Sequence, residues 1–472
     1  MPSCSLEEIL NPKSIAVIGA TPAGRIGHSF VTALLELGFK GKIYAVNPSY
    51  SEVDGLRCYS SLTEIQESVD YAICAVPTRI VPTIVDDCSQ KGVKAIHIYT
   101  GRFGETGRRE ESELEQEVLR LARKRGIRLI GPNCMGLYCP RQGIGWSDKF
   151  PTEPGTVGMA SQSSYIAHDF ILMAVPRGIR FSKVIGFGNA LDLNECDYLD
   201  YLARDTETKI ILMYIEGVKD GRRFLRTLRQ VTATKPVIII KGGRGKAGAK
   251  AAASHTASLA GSITTWKAAL AQAGAISADS IEELIDLAVS FHFLPPIRGY
   301  RVGVLGTGGG PSVLAADECE EAGLDVIPMP NEIREELRGK GVPVWDWIGN
   351  PVDLTIAGGA FGPGDLLQMM GKSESFDLLV AITGEPHYKR QQQRLTADAY
   401  VERYRNDDPK RKPLLVVVPD KSLDVNSYEE PSARLFSEIR TKLVAAGIPF
   451  YPTVGRAARA ARKLVDYYQK NN

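Results

Sequence analysis

The feature that most constrains this chain is a short apolar run that ends in glycine or proline and gives way to a helix-length amphipathic segment. It recurs along most of the 472 residues. "SIAVIGA" precedes a helix candidate from Ser29 to Gly38. "KIYAVNP", "YAICAVP" and "KAIHIYTG" follow, with "CSQKG" closing a helix between the last two. A charged helix around Glu110–Gly126 then leads into "IRLIGPNC". Strand-length apolar runs alternating with helices predict a parallel sheet wound with helices. This first series fills about 140 residues.

The loop "CPRQGIGWSDKFPTEPG", from Cys139 to Gly155, is rich in Gly and Pro and reads as a domain boundary. A second series begins at "TVGMASQS". It continues through "FSKVIGFGN", a helix near Tyr198–Arg204, "KIILMYIEG", a basic helix near Arg222–Thr232, "KPVIIIKGG" and a helix from Ile263 to Ala273. "FLPPIRG" marks another boundary. The third series opens with "YRVGVLGTGGGPSVLAADECEEAG" and includes "FDLLVAITG" and "KPLLVVVP". Three α/β modules are therefore predicted, at 1–140, 141–295 and 296–472.

Composition removes several classes. The chain is 44% apolar and 24% charged with a formal net charge of +2, so its bulk electrostatics give no sign of a nucleic-acid partner. No apolar run approaches the roughly 20 residues needed to span a bilayer, and "MPSCSLEEIL" lacks a signal-peptide pattern. The eight cysteines show no metal-ligand spacing; most, like Cys74 in "AICAV", read as small buried hydrophobes. No metal site and a cytoplasmic location are expected.

The first glycine turn, "VIGATPAGRIG", carries Gly19, Gly24 and Gly27 between a strand and a helix, where glycine lets a backbone approach a phosphate. Its spacing is not that of dinucleotide binders, and the second strand ends in "VNP" instead of an acid for a ribose. An NAD-linked oxidoreductase is disfavoured. "GPNCMG" ends a strand where open α/β sheets bind ligands, making Asn133 and Cys134 candidates to line a site; nothing nearby in sequence would activate the thiol. In "ASQSSYIAHDF", Ser161, Gln162, Ser163 and Ser164 stand at a helix start, either as an anion cradle or as a plain N-cap.

The stretch "GGRGKAGAKAAASHTASLAG" (242–261) contains His255, one of only six histidines. It reads either as an ordinary surface loop or as a small, basic, flexible one whose cations attract phosphate to an imidazole able to react. "YIEG" puts Glu216 at the end of an apolar strand, a carboxylate able to orient that imidazole if it reaches it.

Together these stretches resemble the α subunit of the ADP-forming acyl-CoA synthetases, relatives of succinyl-CoA synthetase. "SHTASLAG" is similar to the family's phosphohistidine loop, and Glu216 lies 39 positions before His255, about the family's separation. "VNP", "AVP", "GPNC", "SQS" and "GN" (Gly188, Asn189) also match, in family order. The resemblance implies a Rossmann-like CoA-binding domain followed by two flavodoxin-like ligase domains. It implies interconversion of acyl-CoA, ADP and phosphate with acid, ATP and CoA through an acyl phosphate and a phosphohistidine. Coenzyme A would lie on Gly19, Thr21, Pro22, Gly24 and Gly27, then Asn47, Pro48, Val76 and Pro77, with Thr100, Gly101, Arg102 and Phe103 along the sheet edge. Ser161–Ser164 would receive the phosphohistidine, and Glu216 would orient His255.

No segment remains for the family's ATP-grasp unit, so the resemblance implies a hetero-oligomer whose β subunit carries ADP or ATP and Mg²⁺. Two departures stand out. Ser164 replaces the glycine that often follows "SQS", and "YTGRF" replaces "SAGF", placing Arg102 near the expected thioester end. That added cation would suit an acyl group with a second anionic function; the alternative is an ordinary arginine facing outward. The competing reading is a non-catalytic CoA-binding or regulatory module of the kind fused to protein acetyltransferases. His255 and Glu216 argue against it, because a sensor needs no phosphoryl acceptor.

Overall fold

The computed structural model describes residues 5–24, 26–256, 262–306, 308–354, 362–383, 398–402, 404, 412–419 and 431–470, with side chains apart from those at 26, 253–256, 363 and 431–433. The first sheet contains β1 (Ser14–Ile18), β2 (Lys42–Val46), β3 (Glu52–Val53), β4 (Leu56–Tyr59), β5 (Tyr71–Cys74), β6 (Ala95–Ile98) and β7 (Arg128–Ile130). Their order is β3-β4-β2-β1-β5-β6-β7, parallel except for the β3–β4 pair. Strand order reverses at β1, the crevice where doubly wound sheets take ligands. Every residue of β1, β5 and β6 is buried, as expected for parallel strands covered on both faces.

Helices α1 (Leu6–Leu10), α2 (Ile26–Glu36), α3 (Val81–Gln90) and α4 (Arg109–Arg125) accompany this sheet. One core joins Ala16, Ala72 and Ile96 of the strands to Val85 and Val118 of α3 and α4. Helix α4 has Glu110 and Glu111 in its first turn and Arg123, Lys124 and Arg125 in its last, both signs favourable to the helix dipole. It stops at Gly126, whose φ of +73° closes the last turn.

The second sheet holds β8 (Gly136–Tyr138), β9 (Val157–Ser161), β10 (Phe181–Gly186), β11 (Ile210–Ile215), β12 (Val237–Lys241) and β13 (Ile276–Ala278). The order is β13-β12-β11-β9-β10-β8, a flavodoxin-like arrangement with β8 added antiparallel at the edge. The chain thus passes from first to second sheet between Ile130 and Gly136, ahead of the Gly/Pro-rich loop. That loop packs Trp146 and Phe150 edge-on against each other beside Tyr138. Helices α5 (Ser164–Ala174), α6 (Glu195–Arg204), α7 (Gly221–Thr232), α8 (Lys246–Thr256) and α9 (Ile263–Gln272) belong to this series.

Helix α8 corrects the sequence reading of 242–261 as a loop. From Lys246 to Thr256 the stretch is helical, and Ala, the strongest helix former, supplies four of the first seven of those residues. The glycine-rich part precedes the helix. Residues 257–261 lie outside the described residues.

The third sheet, β14 (Val302–Gly306), β15 (Val352–Asp353), β16 (Leu378–Ile382), β17 (Leu414–Val417) and β18 (Phe450–Tyr451), is parallel throughout in the order β15-β14-β16-β17-β18. The first two sheets form one compact unit (1–175 and 180–281) and the third forms another (176–179 and 282–472). Residues 176–179 belong to the latter because Arg177 and Arg456 share buried Asp286, at 3.2 and 2.6 Å. Among the described residues no helix is long and apolar enough to cross a membrane.

Candidate functional site

The ends of β1 and β2 are stitched together. Gly19 and Ala20 N–H donate to the Val46 carbonyl at 2.9 and 3.3 Å, and Asn47 Nδ2 donates to the Ala20 carbonyl at 2.8 Å. The first glycine turn and "VNP" are therefore one surface, with Pro48 beside Asn47 on its exposed lip. Gly19 has φ +91°, and a Cβ there would lie 2.5 Å from the Ala75 carbonyl oxygen. At Gly27 a Cβ would collide with the Gly19 carbonyl, so this glycine lets α2 start hard against the turn. Pro22 and Gly24 are exposed. Thr21 is buried, and its hydroxyl has no hydrogen-bond partner among the described residues. An unmet buried hydroxyl costs about 1–3 kcal/mol, which a ligand acceptor such as a phosphate oxygen would recover.

Next along the edge, Thr100 Oγ1 donates to the Val76 carbonyl at 2.6 Å. A cavity of about 520 Å³ opens there between Pro77, Thr100, Gly101 and Arg102. Phe103 was expected to face the ligand, but its side chain is fully buried in the core. The sequence reading also missed Glu105. Its carboxylate accepts the N–H of Arg102, the N–H of Phe103 at 3.0 Å and Asn189 Nδ2 at 2.6 Å. Asn133 Nδ2 lies 3.5 Å from Asn189 Oδ1, and Asn189 N–H donates to the Pro132 carbonyl at 3.0 Å. Turns from the two sheets thus meet around one carboxylate. Cys134 is buried, which pushes its thiol up to about 12 and removes it as a nucleophile. Its carbonyl accepts from His97 Nε2 at 2.9 Å, and burial holds His97 neutral, with its pKa lowered to about 4.

At the β9–α5 turn the serine hydroxyls are already engaged. Ser161 Oγ donates to the Ser163 carbonyl at 2.6 Å, Ser163 Oγ caps α5 by accepting from Ile166 N–H at 3.4 Å, and Ser164 Oγ accepts from Met135 N–H at 2.8 Å. The side chains shape the turn; what α5 offers an anion is its first-turn backbone N–H groups, which a helix leaves without internal partners. Gln162 has a role the sequence did not disclose. Its buried Oε1 accepts both Glu216 N–H and Gly217 N–H, the latter at 3.0 Å. "SQS" and "YIEG" are therefore held as a unit.

Glu216 is only 4% exposed. Tyr214 OH donates to its Oε1 at 3.1 Å, and Lys241 Nζ donates to its carbonyl at 2.6 Å. Burial raises the Tyr214 pKa, keeping the phenol a neutral donor, and lowers that of Lys241 against the pull of the Glu216 charge. Helix α8 carries the His255 backbone one residue from its end, and its Cα atoms come within 8 Å of Gly104–Thr106, the segment beside Arg102. The His255 side chain, and hence any contact with Glu216, lies outside the described residues. Tyr214, Lys241 and Glu105 left no periodic signal in the sequence; only proximity in the fold reveals them.

Two family profiles match: a CoA binding domain over residues 13–140 and a succinyl-CoA ligase like flavodoxin domain over 154–291. The acetate–CoA ligase [ADP-forming] I subunit alpha of Pyrococcus furiosus is 36% identical over 467 residues, 98% of this chain and 97% of the relative. Subunit alpha of isozyme II from the same organism is 38% identical over 81% of this chain and 83% of the relative. The acetate–CoA ligase [ADP-forming] of Methanocaldococcus jannaschii is 38% identical, and this chain spans 49% of its length. The solved acetyl-coenzyme A synthetase 1 of Ca. Korarchaeum cryptofilum, in complex with phosphate and ADP, superposes with a TM-score of 0.81 at 31% identity, covering 99% of this chain and 97% of that one. These relatives are ligases, which favours that reading over the regulatory module. With near-complete alignment to one α subunit, alignment over about four-fifths of a second and both domain profiles in order, the chain belongs to the ADP-forming acyl-CoA ligases, as a member of the α-subunit type.

Proposed function

We propose that this chain is the catalytic α subunit of an ADP-forming acyl-CoA synthetase. Coenzyme A lies on the first sheet, its phosphates against Gly19–Gly24 and Gly27 with the Thr21 hydroxyl as a donor. Its pantetheine passes Asn47–Pro48 and Val76–Pro77 toward Thr100–Arg102. Phosphate attacks the thioester carbonyl, the carbon–sulfur bond breaks, and CoA leaves as the thiol. His255 then attacks phosphorus of the acyl phosphate, releasing the carboxylic acid and forming phosphohistidine. The α5 amides hold the phosphoryl oxygens, and Glu216 orients the imidazole. Positioning and N–H donors are what phosphoryl transfer requires of a protein.

The second half-reaction returns the phosphoryl group to ADP on an ATP-grasp β subunit in a hetero-oligomer of the cytoplasm. Among the described residues no three His, Cys, Asp or Glu side chains are grouped to hold a metal ion. The proposal leaves Mg²⁺ and nucleotide to the partner and routes no step of this chain through the metal.

The observation that most supports the reading is the pair of hydrogen bonds that Gln162 Oε1 accepts from the Glu216 and Gly217 N–H groups, which ties the anion turn to the strand end carrying the carboxylate. The test is incubation with Mg²⁺–ATP and a β subunit. An acid-labile, base-stable phosphate should form on His255 and vanish in His255→Ala. Labelling that survives His255→Ala refutes the assignment.

A further inference from the structure

Arg102 sits where a side chain is rarely found. Its φ is +72°, in the left-handed region. Of the other non-glycine residues with positive φ among those described, Asp54 and Asn133 are of the types that tolerate it and Ala190 is small. Arginine brings neither excuse. The backbone is held there by Glu105, which accepts the N–H of Arg102 and of Phe103. Neighbouring Gly101 has no room for a side chain, since a Cβ would lie 2.9 Å from Asn133 Oδ1. A strained backbone that presents a long cation points to a use for the cation.

The Arg102 side chain lines the 520 Å³ cavity at the carboxyl edge of the first sheet, with Arg79 and Arg108. Arg108 is paired with Glu111 at 3.6 Å. Arg102 and Arg79 have no ion-pair partner among the described residues. Glu110 and Glu111 also line the cavity, so three arginines against two carboxylates leave the lining one positive charge in excess, and a guanidinium is shaped to take a carboxylate through two N–H groups.

We propose that Arg102 is a specificity-determining residue that selects acyl groups bearing a second, terminal carboxylate. The inference rests on the proposed path of CoA, which brings the thioester to Gly101. A terminal carboxylate three or so methylenes beyond it would enter the cavity beside Arg79 and Arg102, whose side chain is exposed there; an alkyl end would displace water from the guanidinium with no bond in return.

The test is calorimetric binding of the full chain to CoA, 3′-dephospho-CoA, glutaryl-CoA and pentanoyl-CoA, the last two of equal carbon count. The variant is Arg102→Gly, because glycine adopts φ +72° without strain and keeps the fold. Wild type should bind glutaryl-CoA about tenfold tighter than pentanoyl-CoA, the factor a charge-assisted hydrogen bond supplies. Arg102→Gly should erase that ratio, each acyl-CoA being read against the same protein's own Kd for CoA. A ratio that persists in the variant, or no ratio in wild type while CoA binds, overturns the inference and leaves the CoA site standing. Equal weakening of CoA, with 3′-dephospho-CoA spared, also overturns it, by assigning the guanidinium to the 3′-phosphate. No CoA binding by wild type overturns the CoA path and this inference together.

Discussion

Replacing Gln162 by Met should separate the tie between the anion turn and Glu216 from everything else at the site. Methionine nearly conserves length and volume, so packing changes little. What is lost is one oxygen that serves two amides, those of Glu216 and Gly217, both in a buried setting. A buried N–H left without an acceptor costs about 1–3 kcal/mol, so two sharing one acceptor give about 3 kcal/mol rather than twice a full loss. Ser163→Ala is the contrast. It removes one cap bond of 3.4 Å and should cost about 0.5–1 kcal/mol. Urea unfolding should rank the variants in that order. Hydrogen exchange resolves the cause, since protection should fall at the 216 and 217 amides in Gln162→Met and stay unchanged there in Ser163→Ala. Phosphorylation of His255 should slow in Gln162→Met because Glu216 is no longer anchored. Unchanged exchange at those two amides would refute the reasoning, whatever the activity.

Thr21→Val removes a buried hydroxyl that has no partner among the described residues. The ligand-free chain should be as stable as wild type or gain about 1 kcal/mol, while CoA binds about tenfold more weakly by calorimetry; a fall in stability would mean the hydroxyl is satisfied within the protein. His97 supplies a pH signature. Its folded pKa of about 4 lies below the ordinary 6.5, so only the unfolded chain takes up the proton between those values. Its contribution is full above pH 6.5 and is lost as pH falls toward 4, by roughly 3 kcal/mol. Gln at this position can still donate to the Cys134 carbonyl but does not titrate. His97→Gln should therefore flatten the dependence of unfolding free energy on pH over that window, and an unaltered slope would show that His97 titrates alike in the folded and unfolded chain.

What could be read from the sequence was whatever a single segment dictates. Gly19 and Gly27 marked the turn from β1 into α2, while the groups that crowd them, the Ala75 carbonyl after β5 and the Gly19 carbonyl, are named only by the fold. The alternation of apolar runs and helices pointed to three parallel sheets, and the antiparallel edges β3 and β8 are what it did not disclose. The stretch around His255 was misjudged over Lys246–Thr256 because its glycines were weighed above its alanines, though the glycines cluster before the helix and the alanines fill it. Phe103 was placed among the CoA contacts by the resemblance alone; in the fold its ring is buried in the core while Glu105 accepts its N–H. Glu105 itself was invisible, since its partner Asn189 is 84 positions away on the other sheet. That pairing exists only after the chain crosses between sheets at 131–136 and brings both turns to one edge. A site of this kind is assembled by the crossing, and its glycines can be read in advance while its carboxylates cannot. Glu105 fixes the backbone of Arg102, the residue on which acyl selection is proposed to turn, so the least legible residue of the site governs its most distinctive one.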